Sequence, residues 1–341
     1  MTARASRVVL ASSGGQGLGH AIAAVRRLDV VEIVTMTLDV GQGGELGPAR
    51  QRALEQGAIR AHVLDVREEF ARDYVGPTLR ADALSPGGRP WIVELTWPLL
   101  ARHLVRVAQM EGANAVAFRA KDPHPLRAAV SLLDPALTCL TFRDVGTEPV
   151  GDALRATLWG RLFAPGDPWE PAPEVGYTLT KAGPKAADTP AHLEISFEQG
   201  MATRVNGVTM GFTELLASVG TIAGAHAVGR FDVLDRDGDR VTRAVGEAPA
   251  AVVLHAAHRD LQAFVTPGDL NRLSSNLAGE YGRLIADGRW FTPSRDAIDA
   301  FTQSVQTRVT GTVRLRLFKG TCTVVGRRLE HEAAGPSRFA G

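Results

Sequence analysis

Ser12-Ser13-Gly14-Gly15-Gln16-Gly17-Leu18-Gly19 is the stretch of this chain best suited to chemistry. It follows an apolar run ending at Ala11 (Val8, Val9, Leu10), which reads as a buried strand, and leads into Ala-rich, helix-forming sequence from His20. Strand, glycine loop, helix sets backbone N–H groups and the positive end of a helix dipole against an anion. The loop is therefore a candidate phosphate site. A tight strand-to-helix turn without a ligand accounts for the same residues, and the loop alone does not decide between them.

Three other constellations invite a chemical reading. Gly17-Leu18-Gly19-His20-Ala21 is similar to the glycine turn of short-chain dehydrogenases, with Asp39 as ribose ligand and Tyr177 and Lys181 at Tyr-x-x-x-Lys spacing. That reading is the weaker one, because Ser13 replaces the first glycine and Tyr177–Lys181 lies in a connector. His255 and His258 sit three apart on a helix and could share a metal, but no Cys or carboxylate partner is evident, and packing explains them better. Asp237-Gly238-Asp239 has part of a calcium loop's spacing without its later Glu, and reads as a hairpin turn. No metal ligands are assigned.

The elements that must hold the loop follow from periodicity. After the loop come a strand at Val30–Asp39, a helix over Leu46–Gln56, and a strand at Ala61–Val66. A short helix at Arg67–Tyr74, a long one over Pro98–Gly112, and strands at Ala113–Phe118 and Leu137–Phe142 complete the first part. Strands alternating with helices imply a parallel sheet covered on both faces, with ligands at the carboxyl ends of its strands. Pro165–Pro173 and Lys185–Pro190 are connector-like. Two hairpins, a helix at Phe212–His226, three further helices and two closing strands follow, which is an α+β order. The expected fold is α/β, with a parallel-sheet domain over residues 1–160 and an α+β domain over 161–341.

Composition limits the function classes. The 341 residues carry 45% apolar and 22% charged side chains and a net charge of +1, an ordinary soluble globular balance. It favours neither nucleic acid nor a membrane surface as partner. No stretch reads as a membrane span or a secretion signal, so a cytoplasmic setting is expected. Cys139 and Cys322 lie in strand-like runs and read as buried thiols.

With both parts read, the chain resembles the argininosuccinate synthase family over essentially its whole length. The carrying stretches are VVLA-x-SGG at Val8–Gly15, DVGQG at Asp39–Gly43, REEFARDYV-x-P at Arg67–Pro77, and Leu158–Arg161. Asp167–Pro173, YTLTK at Tyr177–Lys181, DGRWFTPSRDAIDAF at Asp287–Phe301 and Arg308–Arg328 add to them in matching order. The resemblance implies an N-type ATP pyrophosphatase, with an adenine nucleotide alpha hydrolase-like first domain and a synthetase-like second. Such enzymes adenylate the citrulline ureido group with ATP and Mg2+, then join it to aspartate, releasing AMP and pyrophosphate. On this pattern Ala11, Ser12, Ser13, Gly14, Gly15, Gln16, Gly17, Leu18 and Gly19 would hold nucleotide, and backbone around Leu38 would meet adenine.

The departures fall in the site. The family's loop S-G-G-x-D-[ST]-S keeps Ser13, Gly14 and Gly15 here, but its acid is Gly17 and its hydroxyl positions are Leu18 and Gly19. The loop H-G-x-T-G-K-G-N-D-Q-x-R shrinks by two residues over Phe118–Arg127, and only Arg127 stands where a citrulline contact would. The family's citrulline-holding Tyr and Ser align with Arg89 and Glu94, and its later Glu and Tyr with Asp235 and Gly246. A hydrogen bond to a charged group is worth roughly 1.5–3 kcal/mol. Losing five or six would cost roughly ten kcal/mol, more than the binding of an amino acid can spare.

The expectation is a synthase-type carbon–nitrogen ligase with other substrates. The alternative is a catalytically inactive homologue serving as a binding or regulatory subunit. Arg89, Glu94, Arg119, Lys121, Asp122, Arg127 and Asp235 would line the altered pocket and suit a small polar or amino-acid-like ligand. Catalytic residues are not assigned. The family's C-terminal arm helps to hold a tetramer; only Leu329–Gly341 follows Arg328 here, so a homo-oligomer, a dimer rather than a tetramer, is expected.

Overall fold

The structure, a computed structural model, describes residues 6–15, 17–28, 30–43, 46–120, 124–142, 155–237 and 240–329. In chain order the elements are β1 (Arg7–Ser12), α1 (Leu18–Arg26), β2 (Glu32–Asp39), α2 (Ala49–Glu55), β3 (Arg60–Asp65) and α3 (Arg67–Phe70). A π-turn at Ala71–Val75, α4 (Gly76–Arg80), α5 (Thr96–Glu111), β4 (Ala115–Arg119), α6 (Pro125–Leu133), β5 (Thr138–Phe142), β6 (Ala156–Thr157) and β7 (Gly160–Phe163) follow. Then come β8 (Ala191–Glu198), β9 (Met201–Val205), β10 (Val208–Thr209), α7 (Phe212–Ala225), β11 (Arg230–Asp237) and β12 (Arg240–Glu247). The chain closes with α8 (Pro249–Val265), α9 (Gly268–Ala286), α10 (Pro293–Gln306), β13 (Gly311–Phe318) and β14 (Thr321–Arg328). Two compact units result: Met1–Val75, Trp91–Phe163 and Gly279–Ile298 form one, and Gly76–Pro90, Ala164–Ala278 and Asp299–Gly341 the other.

The first unit carries the expected parallel sheet, in the order β3-β2-β1-β4-β5. Val8 lies level with Ile33 on one side and Ala115 on the other, so their side chains share a face. The buried residues of α1, Leu18, Ala21, Ile22 and Val25, recur at helical spacing and cluster with Val8, Leu10, Ile33, Ala115 and Ala117 on that face. Each large aliphatic side chain buried this way contributes about 1.5–3 kcal/mol. Helix α5 packs against β1, β2 and β4, burying Leu99, Leu104, Val107 and Ala108. Gly112, in the left-handed region at φ 61°, ends it. A strand covered on both faces must be apolar throughout, which is why VVLA and IVTM read as continuous runs.

The second unit holds an antiparallel sheet, β10-β9-β8-β13-β14, against which α7 and α8 pack. Leu193, Ile195 and Phe197 of β8 alternate with polar residues, and Val313, Leu315 and Leu317 of β13 do the same. Glu247, wholly buried at the end of β12, accepts hydrogen bonds from the N–H groups of Thr178 (2.6 Å), Leu179 (2.8 Å) and Thr180 (2.9 Å). The Thr180 hydroxyl adds a fourth at 2.7 Å. The YTLTK segment is thereby moulded around one carboxylate.

His258 of α8 is also fully buried. Gln306 donates both amide protons, to Arg80 O (2.9 Å) and Gln262 Oε1 (2.7 Å), so its own oxygen faces His258 Nε2 at 2.8 Å. His258 therefore carries its proton on Nε2. Burial pushes the imidazole down from 6.5 to about 4; the Gln306 bond and the Asp82 charge oppose that, and the His255 and Arg80 charges reinforce it. A base with its folded pKa below its unfolded one contributes stability fully above pH 6.5, and that stability is lost as pH falls towards 4. The loss reaches about 3 kcal/mol across the window. Urea unfolding of the wild type should show this acid limb between pH 7 and 4, and His258→Gln should flatten it. Equal slopes would assign the limb to other groups.

Candidate functional site

The glycine loop leaves the carboxyl end of β1, where the parallel sheet offers ligands room. Gly14 adopts φ +78°, a conformation natural only to glycine. Its N–H donates to Ser12 Oγ at 3.0 Å, and its C=O accepts from Arg52 Nη2 on α2 at 2.6 Å. A Cβ at Gly14 would meet Leu46, Ala49 and Thr37 side chains at 3.1–3.2 Å. Leu18 is 2% exposed and belongs to the core beneath α1. Leu18, expected to meet nucleotide at a position where the resembled loop has a hydroxyl, thus places its side chain in the core. Gly17 caps α1 without a side-chain bond, and a Cβ at Gly19 would fall 2.6 Å from Gln56 Oε1. Ala11 pairs with Met36 inside the sheet, Ser13 follows β1, and Gly15 O accepts from Leu18 N. Gln16 lies outside the described residues.

At the end of β2, Leu38 is buried and its C=O accepts from Gln42 Nε2 at 2.7 Å. Gln42 Oε1 in turn accepts from Val40 N at 2.7 Å, and Asp39 Oδ1 from Gly41 N at 2.9 Å. Leu158 closes the turn by donating its N–H to Val40 O at 2.8 Å. Gly41, at φ +80°, leaves room for it, since a Cβ there would stand 2.7 Å from Leu158 Cβ and 2.9 Å from Leu158 N. Sequence reasoning placed Leu38 beside adenine but missed that Gln42 folds back onto the same carbonyl.

The candidate pocket residues divide between the units. Glu94, Arg119 and Arg127 belong to the first, Arg89 and Asp235 to the second, and Lys121 and Asp122 lie outside the described residues. Glu94 Oε2 accepts from Ile92 N at 3.2 Å. Arg119 ends β4 level with Phe142, and Arg127 Nη2 reaches Thr141 Oγ1 at 3.5 Å. His124, which the sequence left unassigned, caps α6 by accepting Leu126 N on Nδ1 at 3.2 Å.

Arg89 and Asp235 come together. Arg89 Nε donates to Asp235 Oδ2 at 2.9 Å, with Arg89 only 6% exposed. Asp235 Oδ1 accepts from Ser85 Oγ (2.9 Å) and Gly87 N (3.0 Å). Two residues expected to await a ligand instead satisfy each other. Ser85 and Gly87 were not picked out from sequence; the Ser-Pro-Gly-Gly turn was the signal that could have found them.

Two of the rival constellations resolve as structure, while Gly238 and Asp239 of the third lie outside the described residues. Tyr177 lies beneath the Arg230 guanidinium, 4.0 Å from ring centroid to carbon, and Lys181 N donates to Gly224 O. His255 Nδ1 pairs with Asp82 at 2.9 Å while His258 faces Gln306, so the two histidines serve different partners. Among the described residues no cluster of three metal-ligating side chains occurs, and no helix is long and apolar enough to cross a membrane. Cys139 and Cys322 are unbridged.

Comparison with known proteins bears on both units. Residues 7–141 match the Arginosuccinate synthase N-terminal HUP domain, and 158–334 the Arginosuccinate synthase C-terminal domain. The argininosuccinate synthase of Synechococcus elongatus is 37% identical over 363 aligned positions, covering 98% of this chain and 90% of its own. Those of Acaryochloris marina (36%; 98% and 91%) and Trichodesmium erythraeum (34%; 96% and 89%) are similar over comparable lengths.

The turn after β2 supplies a test of this geometry. Gly41→Ala should lower stability by about 2–4 kcal/mol, because a left-handed backbone and a clash with Leu158 N add together. Chemical denaturation reads the loss. An unchanged midpoint would mean that Leu158 can withdraw without cost.

Proposed function

The chain belongs to the argininosuccinate synthase family, and we propose that it is an ATP-dependent, AMP-forming carbon–nitrogen ligase acting on substrates other than citrulline plus aspartate. One observation carries the reading. Arg89 and Asp235, aligned with the family's citrulline-holding Tyr and with its later Glu, form an ion pair with each other in which Arg89 is buried. In the proposed division, residues 1–160 bind nucleotide and 161–341 form the synthetase-like partner. The ligand is a small polar or amino-acid-like molecule, and the assembly is a homo-oligomer.

The glycine loop fits a phosphate in position and in backbone shape. Ser13, Gly14 and Gly15 would hold pyrophosphate, and donors aimed at developing charge stabilise it without reorganisation. Ser12 and Arg52 fix the loop, and Gln42 fixes the turn at Leu38. Arg52 would also place a guanidinium near the bound anion. A Mg2+ ion finds no such fit, since Gly17, Leu18 and Gly19 supply neither carboxylate nor hydroxyl. No step is assigned to it. Catalysis would rest on alignment of nucleophile and electrophile.

A second reading, an inactive homologue acting as a binding or regulatory subunit, is favoured by the Gly14 peptide, whose N–H and C=O are both engaged within the protein. Calorimetry with ATP in the presence of Mg2+, followed by an argininosuccinate assay, separates the readings. ATP binding that is abolished by Gly15→Val, with no argininosuccinate formed from citrulline, aspartate and ATP, is the expected result. Absence of ATP binding would select the second reading. Argininosuccinate formation that Arg127→Ala abolishes would overturn the change of substrate.

A further inference from the structure

The turn Ser85-Pro86-Gly87-Gly88-Arg89 has the properties of a receptor for a carboxylate. Gly88 N donates to Ser85 O at 2.8 Å and Ser85 N to Arg89 O at 2.9 Å, and a bridge joins Leu84 to Pro90. These bonds lie within the segment and set its shape whatever binds to it. Three donors then converge on one side: Ser85 Oγ, Gly87 N and Arg89 Nε, each 2.9–3.0 Å from a carboxylate oxygen. Gly87 is needed for that approach, because a Cβ there would stand 2.7 Å from Asp235 Oδ1. Ser85 and Arg89 are 5% and 6% exposed, so the donors act where water competes little. The acceptor comes from Asp235 on β11, 146 to 150 residues along the chain.

We infer that this turn is a carboxylate-binding site and that Asp235 is its tethered occupant. A small molecule bearing a carboxylate reaches the turn only by exchanging with Asp235. The tether gives Asp235 an effective concentration that a free acid in solution does not match. The inference deepens the proposed change of substrate by naming the chemistry at that pocket, and it rests on that reading only for the pocket's identity. It makes no use of ATP, so its failure and that of the ligase reading are read by separate experiments.

Asp235→Ala in the full chain vacates the site and leaves the Arg89 charge buried. Sodium acetate is the probe, with sodium chloride at equal ionic strength and acetamide as controls. Acetate should raise the midpoint of thermal unfolding of the variant saturably, by about 3 °C at tenfold excess over its dissociation constant. Chloride and acetamide should not. Wild type should show no such rise, and Asp235→Ala with Arg89→Met should lose it. If Asp235→Ala does not fold in chloride, refolding by dialysis into acetate replaces the midpoint as the readout, and soluble protein from acetate alone supports the site. A variant indifferent to acetate, one that stays unfolded in acetate as in chloride, or a wild type that responds equally, overturns the inference.

Discussion

A carboxylate taken out of water must find donors, and much of the second unit is arranged to meet that demand. An unpaired buried charge costs several kcal/mol, whereas one with a full set of partners is tolerated. Glu247 draws three successive backbone N–H groups and a hydroxyl around itself, which fixes the path of residues 178–180. Thr180 Oγ1 then accepts from Arg230 Nε at 2.8 Å, and Arg230 grips Glu174 with both terminal nitrogens while lying on Tyr177. One buried acid thus orders an arginine, a tyrosine and the connector that holds them. Asp82, held below the usual carboxylate range by His255 and Arg259 against its burial, repeats the device.

The same logic sets the character of the candidate site. A pocket waiting for a ligand keeps polar groups unsatisfied, to be completed on binding. Here Asp235 completes the Ser85–Arg89 turn, Arg52 and Ser12 complete the Gly14 peptide, and Gln42 completes the Leu38 carbonyl. In the first unit the Gly14 peptide is engaged at both its N–H and its C=O, and Gly15 O accepts from Leu18 N. Arg52 of α2 thereby brings its guanidinium to the loop's own carbonyl.

The sheets and long helices were legible because burial writes a period into sequence. VVLA, the α1 residues at positions 18, 21, 22 and 25, and the alternation of Leu193, Ile195 and Phe197 announce their own geometry. The strands Ala156–Thr157 and Gly160–Phe163 were not foreseen, since two to four residues carry no period. Nor could pattern show that residues 76–90 pack with a unit built mainly from beyond residue 164. The glycine loop was picked out by its own pattern, whereas the candidate pocket positions were named only through family resemblance. That resemblance marked Arg89 and Asp235 as substitutions, yet it could not reveal that the two had become partners across 146 residues, because pairing is a property of three dimensions.

That pairing decides how the pocket can be used. Removing one member of a buried ion pair costs about 3–5 kcal/mol, since the other charge is left uncompensated. A ligand bound at millimolar strength gains only about 4 kcal/mol in total. A neutral ureido group offers no charge to either Arg89 or Asp235, so it cannot part them at that affinity. A carboxylate differs, because it gives Arg89 and the turn the same bonds that Asp235 gave. The net cost then falls to freeing one aspartate, which sits 19% exposed at its side chain and so has water to turn to. On the proposed reading of Arg89 and Asp235 as pocket residues, the substrate chemistry is bounded by exchange: what enters must carry the charge of what it displaces.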